Sequence, residues 1–150
     1  MKKILFVCLG NICRSPMAEF IFKDMIKKKG LETEFIIASA GTSNEECGHP
    51  VYPPAARKLA EVGISAYGKT ARQFVESDYN KYDYILVMEK SNIINIKKII
   101  GEDVDKKIYR LLDFSSNPRD ISDPWYTGDF DTTYDDIVEG LTAFLDFLKI

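Results

Sequence analysis

The strongest constraint on the fold is a regular alternation of strand and helix patterns along the 150 residues. Apolar, β-branched or aromatic runs predict four buried strands, at 3–8, 35–39, 82–88 and 107–112. Helical spacing and Pro or Gly at segment ends predict the helices between and after them, at 15–30, 53–63, 91–100 and from a cap at Asp131 or Thr132 onwards. The alternation predicts a three-layer α/β/α fold with a four-stranded parallel sheet.

Composition restricts the class of protein. The chain is 45% hydrophobic and 29% charged, without repeats or a long linker, so we expect one globular domain over 1–150. The net charge of −3 argues against nucleic-acid binding, and no apolar run reaches the roughly 18 residues of a membrane span. Three cysteines, with no spacing typical of zinc sites, favour reduced thiols in the cytoplasm and no metal.

The first strand leads directly into the segment CLGNICRSP, residues 8–16. Ligands of parallel sheets bind beyond the carboxyl ends of the strands, and a helix N-terminus attracts anions. Ser15 is a candidate helix cap, with Pro16 in the first turn. Gly10 permits a tight turn, Asn11 tolerates a left-handed conformation, and Arg14 provides a fork of donors for an oxyanion. We therefore predict a phosphate-binding loop over 8–15, the anion loop. Its members are Cys8, Leu9, Gly10, Asn11, Ile12, Cys13, Arg14 and Ser15.

Cys8 stands at the end of the strand, within this loop. A lone cysteine there would be interpreted as a small core residue. The neighbouring Gly10, Arg14 and Ser15 favour a nucleophile instead, because a helix N-terminus and an arginine both stabilise a thiolate. The Gly-Lys-Ser/Thr ending of an ATP-binding loop is absent.

A proton donor for the leaving oxygen is expected elsewhere in the chain. The predicted loop 113–131 contains Asp123-Pro124 followed by Trp125 and Tyr126, and Asp123 is the candidate acid. The other aspartates of this loop are interpreted as turn or cap residues. They are Asp113, Asp120, Asp129 and Asp131.

The combination of CLGNICRS with a downstream DPWY resembles the low-molecular-weight protein tyrosine phosphatases. The resemblance covers essentially the whole chain. It includes SAGTS at 39–43, TARQ at 70–73 and the strand YDYILVM followed by SN at 91–92. It implies hydrolysis of phosphotyrosine and small aryl phosphates through a phosphocysteine on Cys8. Arg14 would clamp the phosphoryl group, and Asp123 would act as general acid and then as general base.

The resemblance also implies the supporting residues. Asn11, Ser15, Ser39, Glu89 and Ser91 would support the loop. Ile12, Glu45, Trp125 and Tyr126 would form the substrate cleft, and Cys13 would be a redox partner of Cys8. A phosphotyrosine protein or peptide would be the substrate, phosphate-like oxyanions would inhibit, and the enzyme would be a monomer without metal or organic cofactor.

The chain departs from the family pattern in two places. Many members carry Tyr or Trp where this chain has Asn44, Glu45 and Glu46, so the aromatic wall of the cleft is expected to be absent or replaced. Some members carry a histidine where this chain has Gly68 and Lys69. Substrate preference and the network behind the loop are expected to differ accordingly.

Three other functions are considered. Relatives that dephosphorylate arginine tend to carry Thr at the position of Ile12, and Ile12 suits a phenyl ring better. Arsenate reductases need further cysteines, and only Cys47 lies outside the loop. A phosphopeptide-binding module without turnover would be favoured if Cys8, Arg14 or Asp123 were missing.

Overall fold

A computed structural model describes residues 1–150. Its centre is one four-stranded sheet in which every neighbouring pair is parallel, in the order β2-β1-β3-β4. The strands are β1 Lys2–Cys8, β2 Phe35–Gly41, β3 Tyr84–Val87 and β4 Ile108–Arg110. The predicted parallel sheet is confirmed.

Helices cover both faces of the sheet. They are α1 Arg14–Lys28, α2 Pro53–Glu61, α3 Glu76–Lys81, α4 Lys90–Ile100, α5 Pro124–Thr127 and α6 Phe130–Leu148. Successive residues of β1 point to opposite faces, so Phe6 joins the apolar cluster that contains Phe22 of α1, whereas Val7 joins the cluster that contains Ile96 of α4. The two clusters make the three layers that were predicted. None of the helices combines the length and the apolarity that crossing a membrane would require.

Several predicted boundaries are wrong. Helix α1 begins at Arg14 with Cys13 as its N-cap, so Ser15 lies inside the helix rather than capping it. Strand β4 ends at Arg110, because Leu111–Phe114 form a 3₁₀ helix. That turn packs against α6.

The start of α6 is also corrected. Its N-cap is Asp129, whose carboxylate accepts from the Thr132 amide at 2.9 Å, and neither Asp131 nor Thr132 caps it. The Asp131 carboxylate instead lies 2.6 Å from Nζ of Lys58 on α2. Helix α5 forms within the segment predicted as a loop.

Parallel pairing brings the carboxyl ends of β1, β2 and β3 to one edge of the sheet. Cys8 pairs with Gly41, the last residue of β2. A Cβ on Gly41 would lie 2.7 Å from the Leu9 carbonyl oxygen, so only glycine allows the anion loop to pass this closely over β2.

Candidate active site

Asn11 holds the anion loop in shape. It is 1% exposed and adopts the left-handed region with φ 58°, where asparagine is tolerated. Its Nδ2 donates to Ser15 Oγ at 2.8 Å and to Ser39 Oγ at 2.9 Å, and its Oδ1 accepts from the Arg72 amide at 3.1 Å. One side chain thus joins the loop to β2 and to the segment before α3, and the structure brings Asn11, Ser15 and Ser39 together.

The sulfur of Cys8 lies among hydrogen-bond donors. The Ser15 hydroxyl is 3.0 Å from Cys8 Sγ, and the Asn11 amide donates to the sulfur at 3.3 Å. Asn11 Nδ2 donates to the Ser15 oxygen, so the Ser15 proton has two possible acceptors, the sulfur at 3.0 Å and the Ala40 carbonyl at 3.4 Å, and the sulfur is the nearer. Donors directed at a sulfur stabilise its thiolate form.

Arg14 is 2% exposed and lies at the start of α1. Its Nη1 donates to the Glu89 carboxylate and, at 2.8 Å, to the Ile121 carbonyl, while Nη2 lies 3.3 Å from Asp123 Oδ2. Ser91 donates to the other Glu89 oxygen at 2.5 Å. Burial opposes the charged form, but Cys8 and the Glu89 carboxylate raise the pKa of Arg14 above its ordinary value. The guanidinium therefore stays charged and fixed in orientation.

Asp123 is the N-cap of α5, where its Oδ1 accepts from the Trp125 amide at 3.0 Å and its Oδ2 faces Arg14. Pro124 occupies the first turn of that helix, where no amide donor is needed. The contact with Arg14 places this carboxyl group in the cavity of Cys8. Other aspartates of the segment form ion pairs or caps elsewhere: Asp113 and Asp120 with Arg110, Asp131 with Lys58, and Asp129 at α6.

A cavity of about 170 Å³ opens above the sulfur. Its lining contains the predicted Cys8, Leu9, Gly10, Ile12, Cys13, Arg14, Glu45, Asp123, Trp125 and Tyr126, and also Ser43 and Glu46. The Trp125 ring is half exposed and lies 4.7 Å from the ring of Tyr52, which was not predicted. Tyr52 therefore supports the apolar wall of the cavity from behind.

A charged network lies behind the loop, and sequence reasoning named its Ser39 and Lys69 but missed Glu19 and Lys23. Glu19, 5% exposed, accepts from Ser39 Oγ at 2.5 Å and from Lys23 Nζ at 2.6 Å. Lys69 donates to the Ser39 carbonyl at 3.1 Å and lies 3.9 Å from Glu19. Burial lowers the pKa of Lys69, and Glu19 partly offsets this. One signal was available, because Glu19 shares its helical face with Phe22.

Cys13 is 4% exposed and lines the same cavity. Burial, with added repulsion from Cys8 and Asp123, raises the pKa of Cys13 to about 12. Cys13 is therefore a neutral thiol near neutral pH. All three cysteines are free, and only Cys47 is exposed. No three His, Cys, Asp or Glu side chains are grouped so that they could hold a metal ion.

A donor-lined cysteine, a buried arginine and a carboxyl group in one cavity, at the carboxyl edge of a parallel α/β sheet, define a cysteine-dependent phosphatase. The family model of the low molecular weight phosphotyrosine protein phosphatases matches residues 3–150. The chain belongs to this family.

Individual relatives agree with the family model. The low molecular weight protein-tyrosine-phosphatase YfkJ of Bacillus subtilis is 44% identical over 133 residues, covering 87% of this chain and 85% of the relative. The Staphylococcus aureus protein-tyrosine-phosphatase PtpA is 34% identical, covering 99% and 94%.

Solved structures of the same fold include two informative ones. The crystal structure of YfkJ matches with a TM-score of 0.94 at 41% identity, over 99% of this chain and 95% of that one. A Drosophila arginine phosphatase matches with a TM-score of 0.90 at 28% identity, over 100% and 99%. The predicted fold and family are confirmed, and the arginine phosphatase has the same overall architecture.

Proposed function

We propose that this phosphatase hydrolyses phosphotyrosine in proteins or peptides through a phosphocysteine on Cys8. The observation that carries the proposal is the shared cavity of Cys8, Arg14 and Asp123, with the Ser15 hydroxyl 3.0 Å from the sulfur. Residues 1–150 act as one domain in this proposal. The family match over 3–150 supports the proposal of a single domain.

In the first step, the Cys8 thiolate attacks phosphorus in line and the bond to the tyrosine oxygen breaks. Arg14 and the loop amides bind the phosphoryl oxygens, where negative charge is spread in the transition state. Asp123 then gives its proton to the leaving tyrosine oxygen.

In the second step, water attacks the phosphocysteine and the sulfur–phosphorus bond breaks. Asp123 takes the proton from this water, and Cys8 leaves as a thiolate. The Ser15 hydroxyl and the Asn11 amide stabilise the sulfur as a leaving group, for the same reason that they stabilise it as a nucleophile. Inorganic phosphate is the product, so phosphate-like oxyanions are expected to compete for the loop.

Ile12 favours tyrosine over arginine as the phosphorylated residue. The Ile12 side chain lines the cavity together with Trp125, so a flat ring has apolar partners there. A phosphoarginine guanidinium is polar and would lose its hydration against the same surfaces. The structural similarity to an arginine phosphatase makes this substrate the necessary comparison.

The test is turnover of phosphotyrosine, phosphoserine and phosphoarginine peptides of one sequence, side by side. We expect efficient release of phosphate from phosphotyrosine only. Cys8→Ser should be folded and inactive, because a serine hydroxyl is not ionised in this environment. Preferred turnover of phosphoarginine, or phosphate release by Cys8→Ser, would contradict the proposal.

Cys13 is proposed as the redox partner of Cys8 in a reducing cytoplasm. Hydrogen peroxide would oxidise the Cys8 thiolate to a sulfenic acid, and the Cys13 thiol would then form a disulfide with it and release water. The free, buried state of both thiols is the support. Mass spectrometry after mild peroxide treatment should find a Cys8–Cys13 linkage. Full recovery of Cys13→Ser by reductant, with no linkage in the wild type, would make Cys13 structural.

The enzyme is proposed to act as a monomer. All three residues of the proposed reaction come from the same chain and line the same cavity. Sedimentation of the active protein should therefore give the mass of one 17.1 kDa chain. A specific activity that rises with protein concentration would contradict this.

A further inference from the structure

The mouth of the catalytic cavity carries unbalanced negative charge. Three carboxylates line the cavity: Glu45, Glu46 and Asp123. Asp123 pairs with Arg14 at 3.3 Å, and Glu46 lies 2.6 Å from Nδ1 of His49. Glu45 is exposed and takes part in no ion pair. Its only hydrogen bond runs from its backbone amide to Ser43 Oγ, so its carboxylate has no partner. Glu45 therefore presents a free carboxylate to whatever enters the cavity.

Positive charge in the cavity is confined to its floor. Arg14 is the only Lys or Arg in the lining, and with 2% exposure it lies beneath the phosphate site rather than at the mouth. The Glu46 carboxylate has a hydrogen-bond partner in His49 and the Glu45 carboxylate has none, so Glu45 is the more available of the two carboxylates. The floor thus attracts a phosphate, while Glu45 and Glu46 repel further negative charge around it.

We infer that Glu45 and Glu46 select phosphotyrosine segments that carry Lys or Arg next to the phosphotyrosine and disfavour segments with acidic neighbours. The inference rests on the proposed function and names the class of phosphopeptide that the enzyme prefers. The phosphotyrosine ring has to reach the floor, so its neighbours in the peptide lie at the mouth. A Lys or Arg next to the phosphotyrosine lies near the two carboxylates. Its charge also offsets the negative charge of the phosphate while the phosphate passes these carboxylates into the cavity.

The expected effect is moderate, because exposed charges are screened by water and salt. We expect about a three- to tenfold difference in kcat/KM between basic and acidic neighbours. A contact made equally in the bound state and in the transition state changes KM and leaves kcat unchanged. The selection should therefore be visible in KM.

The test uses three phosphotyrosine peptides that differ only in the residues flanking the phosphotyrosine, which are Arg, Ala or Glu. We expect kcat/KM to fall in that order at low salt and the differences to shrink in about 0.5 M sodium chloride. The double variant Glu45→Gln/Glu46→Gln should remove the order. The control Glu32→Gln/Glu34→Gln also removes two negative charges, from exposed positions before β2 at the opposite edge of the sheet. This control should keep the order of kcat/KM among the three peptides.

The outcomes separate this inference from the proposed function. Equal kcat/KM for the three peptides in the wild type would overturn the inference, while turnover of the Ala peptide would uphold the phosphotyrosine phosphatase. An order that persists in Glu45→Gln/Glu46→Gln, or that disappears in Glu32→Gln/Glu34→Gln, would also overturn it. No turnover of any of the three would overturn both.

Discussion

Arg14 is the largest of the fully buried side chains, although it carries a charge. A buried charge is retained only with close partners. Here they come from two separate segments: Glu89 precedes α4, and the Ile121 carbonyl and Asp123 precede α5. Together they fix the plane of the guanidinium above the start of α1. The residue is therefore prepared to bind two oxygens of a phosphoryl group without reorientation.

Replacing Arg14 by lysine should impair catalysis severely. An ammonium group is a point charge and cannot form the two-pronged contact. We expect Arg14→Lys to lower kcat with an aryl phosphate by at least about 100-fold. The matched control is Arg57→Lys on the exposed face of α2, which should retain wild-type activity. Activity of Arg14→Lys within a few fold of wild type would refute the assigned role.

Asp123→Asn should affect substrates according to their leaving group. Phenols with a low pKa leave without protonation, whereas poorer leaving groups need the proton of Asp123. We expect kcat to depend more steeply on leaving-group pKa in the variant, across a series of substituted phenyl phosphates. Asp120→Asn, in the same segment, is the control and should leave the slope unchanged. A uniform loss across the series would exclude Asp123 as the acid.

Helix α6 packs closely against the 3₁₀ turn Leu111–Phe114. A Cβ on Gly140 would lie 2.5 Å from Cγ of Leu111, which is fully buried. Gly140 therefore lets α6 approach the turn that follows β4. This turn begins the segment that later delivers Ile121 and Asp123 to Arg14.

Gly140→Ala should destabilise the protein despite the better helix propensity of alanine. Overpacking costs about 1–3 kcal/mol, and the propensity gain is about 0.5–1 kcal/mol. We expect a net loss of about 1 kcal/mol, measured by urea unfolding. Thr142→Ala on the exposed face of the same helix is the control and should change stability little. A Gly140→Ala variant as stable as wild type would show that Leu111 can move aside.

The stability of the whole molecule should respond to the ionisation of Cys13. Its pKa is about 12 in the folded protein, against an ordinary value of 9.0. Above pH 9 the unfolded chain loses this proton while the folded chain keeps it, so the stabilisation is complete below pH 9 and is lost as pH rises towards 12. At pH 10, the ionisation of Cys13 in the unfolded chain lowers the free energy of unfolding by about 1.4 kcal/mol.

Urea unfolding at pH 7 and pH 10 tests this linkage. Between pH 7 and pH 10, the free energy of unfolding should fall by about 1.4 kcal/mol less in Cys13→Ala than in wild type. This difference does not depend on how stable the variant is at pH 7. Cys47→Ala is the control, because this exposed cysteine should leave the difference unchanged. Identical pH dependence in Cys13→Ala and wild type would show that Cys13 ionises freely in the folded state.

Sequence patterns predicted the elements that rely on local periodicity and missed those that rely on tertiary contacts. The strands around Phe6 and Leu86 are apolar runs, and any buried strand of this composition pairs in a sheet. Helix α3 is polar and carries little apolar periodicity. It is held by its buried Asp78, which binds Arg72 at 2.9 Å and accepts from the Val75 amide at 2.9 Å.

The sequence alone predicted the parallel α/β class, from the alternation of strand and helix patterns, and the anion loop and the candidate acid Asp123, from short motifs. The tertiary structure alone decided the positions of Glu19, Lys69, Tyr52 and the Ile121 carbonyl around the site. Glu19 and Lys69 meet behind the loop although 50 residues separate them in the chain. Contacts between such distant residues form only when parallel pairing brings the strand ends to one edge, and no local pattern encodes them.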